Sequence, residues 1–285
     1  MDIREIMRDT PAPHLGLGPE ADYLSEIVKL QTKLLEHYTS IESLPPFPVR
    51  ADMKVNQVLL KDFISRIVEE LGESFENLDN MAREVSGHCV KNFKSKDTTA
   101  LSFIENRHLL VDIVSEKQIF NFIEELSDAL HFYIELLIYM GIPLVDKSHQ
   151  YSLQGLAIFD DASSALGVSF EEPFHVAVVK GFPETNRVIN RMLCLTRDNL
   201  HINHKISSQY WLITYELQLA RNCLKNKPWK QSEMESDKHS LIQHTMDGFR
   251  MFLMLLSNFG YTSGDLYNLY YWKHQVNLFR IASHY

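Results

Sequence analysis

Two short acidic spacings carry the chemistry of this chain. Glu70 and Glu73 lie three residues apart, as do Glu125 and Asp128, and on a helix that spacing puts both carboxylates on one face. Such pairs repel by roughly a few tenths of a kcal/mol on an isolated helix. If they turn inward, a cation or a proton must sit between them. A hard divalent ion suits the role, because Mg²⁺ takes oxygen ligands and keeps room in its shell for waters and substrate phosphates. Glu69 and Glu76, on the same segment as the first pair, read instead as solvated acids. The second pair has fewer directions open to water, since Phe120, Phe122, Ile123, Leu126, Ala129, Leu130, Phe132, Tyr133 and Ile134 surround it. There Glu124, Asp128, His131 and Glu135 recur at i, i+4, i+7 and i+11, with Glu125 beside the stripe. Acids buried in an otherwise core-forming helix point to function rather than to packing.

A second constellation is basic. Lys273, Asn277 and Arg280 fall at i, i+4 and i+7 near the C-terminus, so an ammonium, an amide and a guanidinium share one stripe while Tyr270, Val276 and Phe279 face the core. That comb suits phosphate oxygens, with the arginine able to hold two at once. An ordinary basic helix end complementing the macrodipole is the plain alternative. Lys225-Asn-Lys-Pro-Trp-Lys230 adds three cations around a tryptophan that can pack on a base or sugar, or forms a simple surface turn. His201 and His204 lack an acid at helical spacing to complete a metal pair, which favours a loop or cap role. No glycine-rich phosphate loop, dinucleotide fingerprint or nucleophile elbow occurs, leaving P-loop, Rossmann and serine-hydrolase chemistry without support.

The elements that must position these groups are helices. Apolar residues recur at three- and four-residue spacing, and β-branched alternation is almost absent. The pattern predicts helices over about 20–38, 56–81, 116–141, 206–226, 238–259 and 264–282, with most turn signals in 143–185 and a short strand at Phe174–Val179. The segment Glu125–Ile142 aligns without gaps on His244–Tyr261 at an offset of 119, pairing Asp128 with Asp247 and Gly141 with Gly260. This suggests an internal repeat, although two buried helices ending in glycine also resemble each other by chance. The expected organisation is therefore an all-α helical bundle in three parts: a first repeat at 1–142 with the acids, a connecting segment or lid at 143–205, and a second repeat at 206–285 with the basic tail.

Composition bounds the rest. With 285 residues, 45% hydrophobic and 23% charged, the chain is expected to be a soluble globular protein. Its net charge of −9 argues against coating nucleic acid or an anionic membrane, so any phosphate site is local. Cys89, Cys194 and Cys223 show no metal spacing and cannot frame a disulfide scaffold, which fits a reducing cytoplasm. The polar start MDIREIMRDTPAP does not read as a secretory signal. Ala129–Ile142, the most apolar run, is too short to span a bilayer and reads as a buried helix.

Taken in order, a helix with Gln31, the E-x-x-E of Glu70 and Glu73, the E-x-x-D-x-x-H-F of Glu125, Asp128, His131 and Phe132, and a Lys/Asn/Arg/Tyr tail resemble the all-α nucleoside triphosphate pyrophosphatases, the superfamily of dimeric dUTPases and MazG-like enzymes. The second half looks most like the dCTP/dUTP pyrophosphatases of T-even phages, in Lys227-Pro-Trp-Lys230 and in Leu269 to Arg280 with terminal Tyr285. The resemblance implies Mg²⁺-dependent hydrolysis of a deoxynucleoside triphosphate, dUTP, dCTP or a related pyrimidine nucleotide, to the monophosphate and pyrophosphate. It implies that Glu70, Glu73, Glu125 and Asp128 hold the metal and act in catalysis. Lys273, Asn277, Arg280 and Tyr285 would clamp phosphates, while Gln31, His131, Lys227, Trp229 and Lys230 would complete substrate binding. The likeness adds the host cytoplasm as the site if the chain is phage-encoded, and a monomeric pseudo-dimer or homodimer, to the cytoplasmic location and the lack of a membrane or stable nucleic-acid partner expected from composition.

The chain departs from that pattern in each half. The second half has His244 in place of the acid and Leu219 three residues after Glu216, and the first half lacks a K-x-x-x-N-x-x-R tail. A fused, degenerate dimer, with metal from one half and phosphate contacts from the other, accounts for both. A catalytically inactive nucleotide- or protein-binding descendant is the competing expectation.

Overall fold

The computed structural model describes residues 23–92, 114–142, 204–225, 236–259, 261 and 263–283. They form six α-helices and, among the described residues, no strand: α1 (Tyr23–Glu42), α2 (Lys54–Asn92), α3 (Glu116–Met140), α4 (His204–Cys223), α5 (Lys238–Asn258) and α6 (Ser263–Ala282). The all-α expectation holds, and predicted boundaries differ mainly at the end of α2, which continues to Asn92. Phe174–Val179, and the connecting segment apart from its junction with α4, lie outside the described residues.

α3 is the organising helix because it is apolar on most of its circumference, a pattern that demands neighbours on several sides. Its start is set by a capping box: the Ser115 hydroxyl accepts from the Gln118 amide nitrogen while the Gln118 side chain accepts from the Ser115 backbone. Its end is set by Gly141, left-handed at φ 69°, whose N–H donates to the Ile138 carbonyl. A side chain at Gly141 would place its Cβ 2.7 Å from Cβ of Pro48, so glycine is required there for space as well as for conformation. The backbone N–H of Val49 donates to the Tyr139 carbonyl at 2.8 Å, which ties the segment before α2 to the end of α3.

α2 runs antiparallel to α3. Glu84 accepts from the Gln118 side chain at one end of the pair, and Phe63 packs on Tyr139 at the other, ring centroids 5.2 Å apart. α4 and α5 form the second extensive pairing, and α1 lies against both α3 and α6. A single apolar core joins all six helices, from Ile27 to Tyr270. On α3, Tyr133 packs against Phe249 and Phe252 of α5, and Phe122 meets Phe259 edge-on at 5.1 Å. Ser74 and Tyr210 hydrogen-bond in the interior at 3.0 Å, joining α2 to α4. No helix among the described residues is long and apolar enough to cross a membrane.

Candidate functional site

The antiparallel pairing of α2 and α3 brings Glu70 opposite Glu125 and Asp128. Ligand-capable oxygens of these three carboxylates all lie within 4.8 Å of one another, the spacing of groups that close on a single cation. All three side chains are half-buried. Burial pushes the Glu70 carboxyl up to about 8, reinforced by the charges of Asp128, Glu125 and Glu73. It pushes Glu125 up to about 7 although the hydrogen bond from Glu70 works in the other direction. The raised values and the hydrogen bond from Glu70 to Glu125 both relieve the repulsion of like charges held this close. Glu73 lies one turn along α2 and is exposed; it reaches the cluster through its field rather than as one of the three converging groups. Glu69 and Glu76 are exposed, as expected of solvated acids.

The stripe of polar groups on α3 faces a different way, toward α6 and α1. Lys273 on α6 is only 3% exposed, and its Nζ lies 2.8 Å from Glu124 Oε1 and 2.7 Å from Asp128 Oδ2. Burial alone would drive an ammonium neutral, but the two carboxylates more than offset it and raise the Lys273 pKa above its ordinary value. Asp128 is pushed up by burial and drawn down by Lys273, and it belongs to both groupings at once. One turn further on, His131 is buried and stacked on Tyr270 with centroids 4.2 Å apart. Its Nδ1–H donates to the Ser127 carbonyl at 2.9 Å, and burial lowers its pKa to about 3, so the ring is neutral. Gln31 closes the stripe from α1: fully buried, it donates to Glu135 Oε1 at 2.7 Å and accepts from the Tyr270 hydroxyl.

The residues expected to bind substrate therefore divide. Arg280 and Asn277 follow Lys273 along α6, Asn277 half-buried and Arg280 exposed, and the charge of Arg280 draws the Asp128 pKa down. Lys273, expected among the phosphate contacts, has its ammonium engaged by two carboxylates. Gln31 and His131 are interior groups of the α1–α3–α6 interface. Lys227, Trp229, Lys230 and Tyr285 lie outside the described residues. Of the α6 side chains expected to face the core, Tyr270 and Val276 do, whereas Phe279 is 42% exposed. Two participants were not singled out as site residues from the sequence, Glu124 as a partner of Lys273 and Tyr270 as a partner of Gln31 and His131. The i+4 stripe marked Glu124; nothing local marked Tyr270.

In the α4–α5 pair, Glu216 Oε2 accepts from His244 Nδ1 at 2.7 Å, and Asp247 pairs with Arg250 at 2.7 Å. The buried hydroxyl of Tyr133 has no hydrogen-bond partner there among the described residues and lies 3.3 Å from where a Gly248 Cβ would stand. Asp247, which the alignment equates with Asp128, thus has Arg250 beside it, and Glu216 has His244, the residue aligned with Glu125. No protein-family model, curated protein or solved structure matches the chain.

Proposed function

We propose that this protein is a Mg²⁺-dependent nucleoside triphosphate pyrophosphohydrolase acting on a pyrimidine deoxynucleotide, with one active site per chain. The observation that carries the reading is the convergence of Glu70, Glu125 and Asp128, from two antiparallel helices, to within 4.8 Å of one another. The donor set fits the ion: all oxygen, from three partly buried carboxylates, as a hard cation that also takes waters and phosphate requires. When bound there, Mg²⁺ supplies an acidified water and neutralises charge developing at the attacked phosphorus.

The remaining roles belong to the chain's own side chains. Glu73, exposed one turn from Glu70, adds negative potential at the mouth. Arg280 and Asn277 stand along α6 on the Lys273 side of Asp128, suited to hold phosphate oxygens. Lys273 draws the Asp128 carboxyl back down against the larger upward push of its burial. The α4–α5 pair is read as the degenerate counterpart of α2–α3, with His244 hydrogen-bonded to Glu216 and Arg250 paired with Asp247 where the first half would hold metal.

The test is the thermal shift of the full chain with Mg²⁺ and each deoxynucleoside triphosphate, hydroxymethylated pyrimidines included, followed by product analysis. Pyrophosphate and a monophosphate as first products support the reading, and orthophosphate as first product overturns it. Stabilisation by nucleotide without turnover supports the inactive nucleotide-binding descendant.

A further inference from the structure

Asp128 stands at the meeting point of two places that each demand positive charge. On one side it converges with Glu70 and Glu125. On the other it shares the buried Lys273 ammonium with Glu124, at 2.7 and 2.8 Å. These are the distances of charge-assisted hydrogen bonds. We propose that Lys273 is a built-in second cation: it permanently fills the Glu124–Asp128 side of the acidic site, so that the chain binds one divalent ion, between Glu70, Glu125 and Asp128, rather than two.

Charge balance argues for this arrangement. Glu70, Glu124, Glu125 and Asp128 carry four negative charges when ionised, and Glu73, whose field reaches Glu70 and Glu125, adds a fifth. One divalent ion and Lys273 supply three positive charges, and Arg280, whose field reaches Asp128, supplies a fourth. Adding a second divalent ion beside a fixed ammonium would leave net positive charge in a half-buried site, where unlike the open surface it is poorly screened. Geometry argues the same way. Lys273 lies on α6, its side chain only 4% exposed, and its carboxylate partners lie on α3, so the ammonium is held in place by the α3–α6 contact. A lysine is also the suitable residue, since it is a compact point charge with three donors and occupies roughly the place of an ion. The tail of the chain thereby tunes the metal content of a site built by the first half.

This inference rests on the reading that Glu70, Glu125 and Asp128 hold a divalent ion, and one measurement separates the two. Mn²⁺ is titrated into the metal-free full-length protein, without nucleotide, and bound ion is counted by electron paramagnetic resonance of the free fraction. One Mn²⁺ per chain that is lost in Glu70→Gln is expected. Two ions per chain in the wild-type protein overturn the second-cation role while leaving the metal reading intact. No binding up to millimolar Mn²⁺ overturns the metal reading itself, and this inference with it. Lys273→Met supplies the converse: it vacates the Glu124–Asp128 place, and the count is expected to rise to two, returning to one when Glu124→Gln is added. A count of one in a folded Lys273→Met protein refutes the proposal. If that variant does not fold, the wild-type count decides.

Discussion

Divalent-cation affinity should depend steeply on pH, in a way set by the proton between Glu70 and Glu125. A cation that uses both carboxylates must displace that proton, so its apparent affinity falls tenfold for each pH unit below the pKa of the group holding it. With Glu70 at about 8, lowering the pH from 8 to 6 should weaken Mg²⁺ binding roughly hundredfold, and Glu125, at about 7, steepens the lower end of that range. The pair's contribution to folding stability without a divalent ion moves in the opposite sense. Both pKa values are raised on folding, so between about 4.5 and 8 the native state binds more protons than the unfolded chain. The pair's contribution is then greatest below about 4.5 and declines as pH climbs to about 8, whereas the buried His131 and His274, whose pKa values burial lowers to about 3 and 4, weaken the fold as pH falls below about 6.5, so the decline shows most clearly between about 6.5 and 8. Saturating Mg²⁺ should abolish that decline. Isothermal titration calorimetry at pH 7, in buffers of different ionisation enthalpy, should count about one proton released per ion bound. The reasoning fails if affinity is flat between pH 6 and 8.5, or if Glu70→Gln retains the full pH dependence.

Other substitutions separate roles that composition alone cannot. Asp128→Asn should lower turnover by at least about a hundredfold through loss of a metal ligand. It should also destabilise the fold by roughly 1–3 kcal/mol, because Lys273 keeps only Glu124 as a partner in a buried setting; chemical denaturation of the metal-free variant reads this directly. Glu70→Gln should instead be neutral or stabilising above neutral pH in the absence of metal, since it removes a carboxyl that burial already penalises. Arg280→Ala should raise KM with Mn²⁺ affinity changed less than about threefold, and an unchanged KM would reduce Arg280 to a helix-end charge. Gly141→Ala combines a left-handed φ of 69° with a 2.7 Å approach to Pro48, and should cost about 2 kcal/mol or more, seen as a lower Tm with intact metal stoichiometry in the surviving fold.

The helices and the acidic pairs were legible in the sequence because both are local properties. Apolar recurrence at three and four residues identifies a helix, and the i, i+3 spacing of Glu125 and Asp128 places them on one face, whatever lies opposite. The stripe Glu124, Asp128, His131 and Glu135 was equally visible, and in the fold it does form a continuous polar seam. Its partners were not. Lys273 pairs with a carboxylate 149 positions earlier, and Gln31 with one 104 positions later. Periodicity fixes a residue's angle about its own helix axis but says nothing of how that helix is rotated against its neighbours. That rotation decided that Glu70 meets Glu125 while Glu73 turns to solvent. It also decided that Lys273, expected to clamp phosphates, is engaged by Glu124 and Asp128, and that His131 is an interior ring stacked on Tyr270. Packing of whole apolar faces sets the rotation, through Tyr133 against Phe249 and Phe252 and Phe63 against Tyr139, and those contacts exist only once all the helices have assembled.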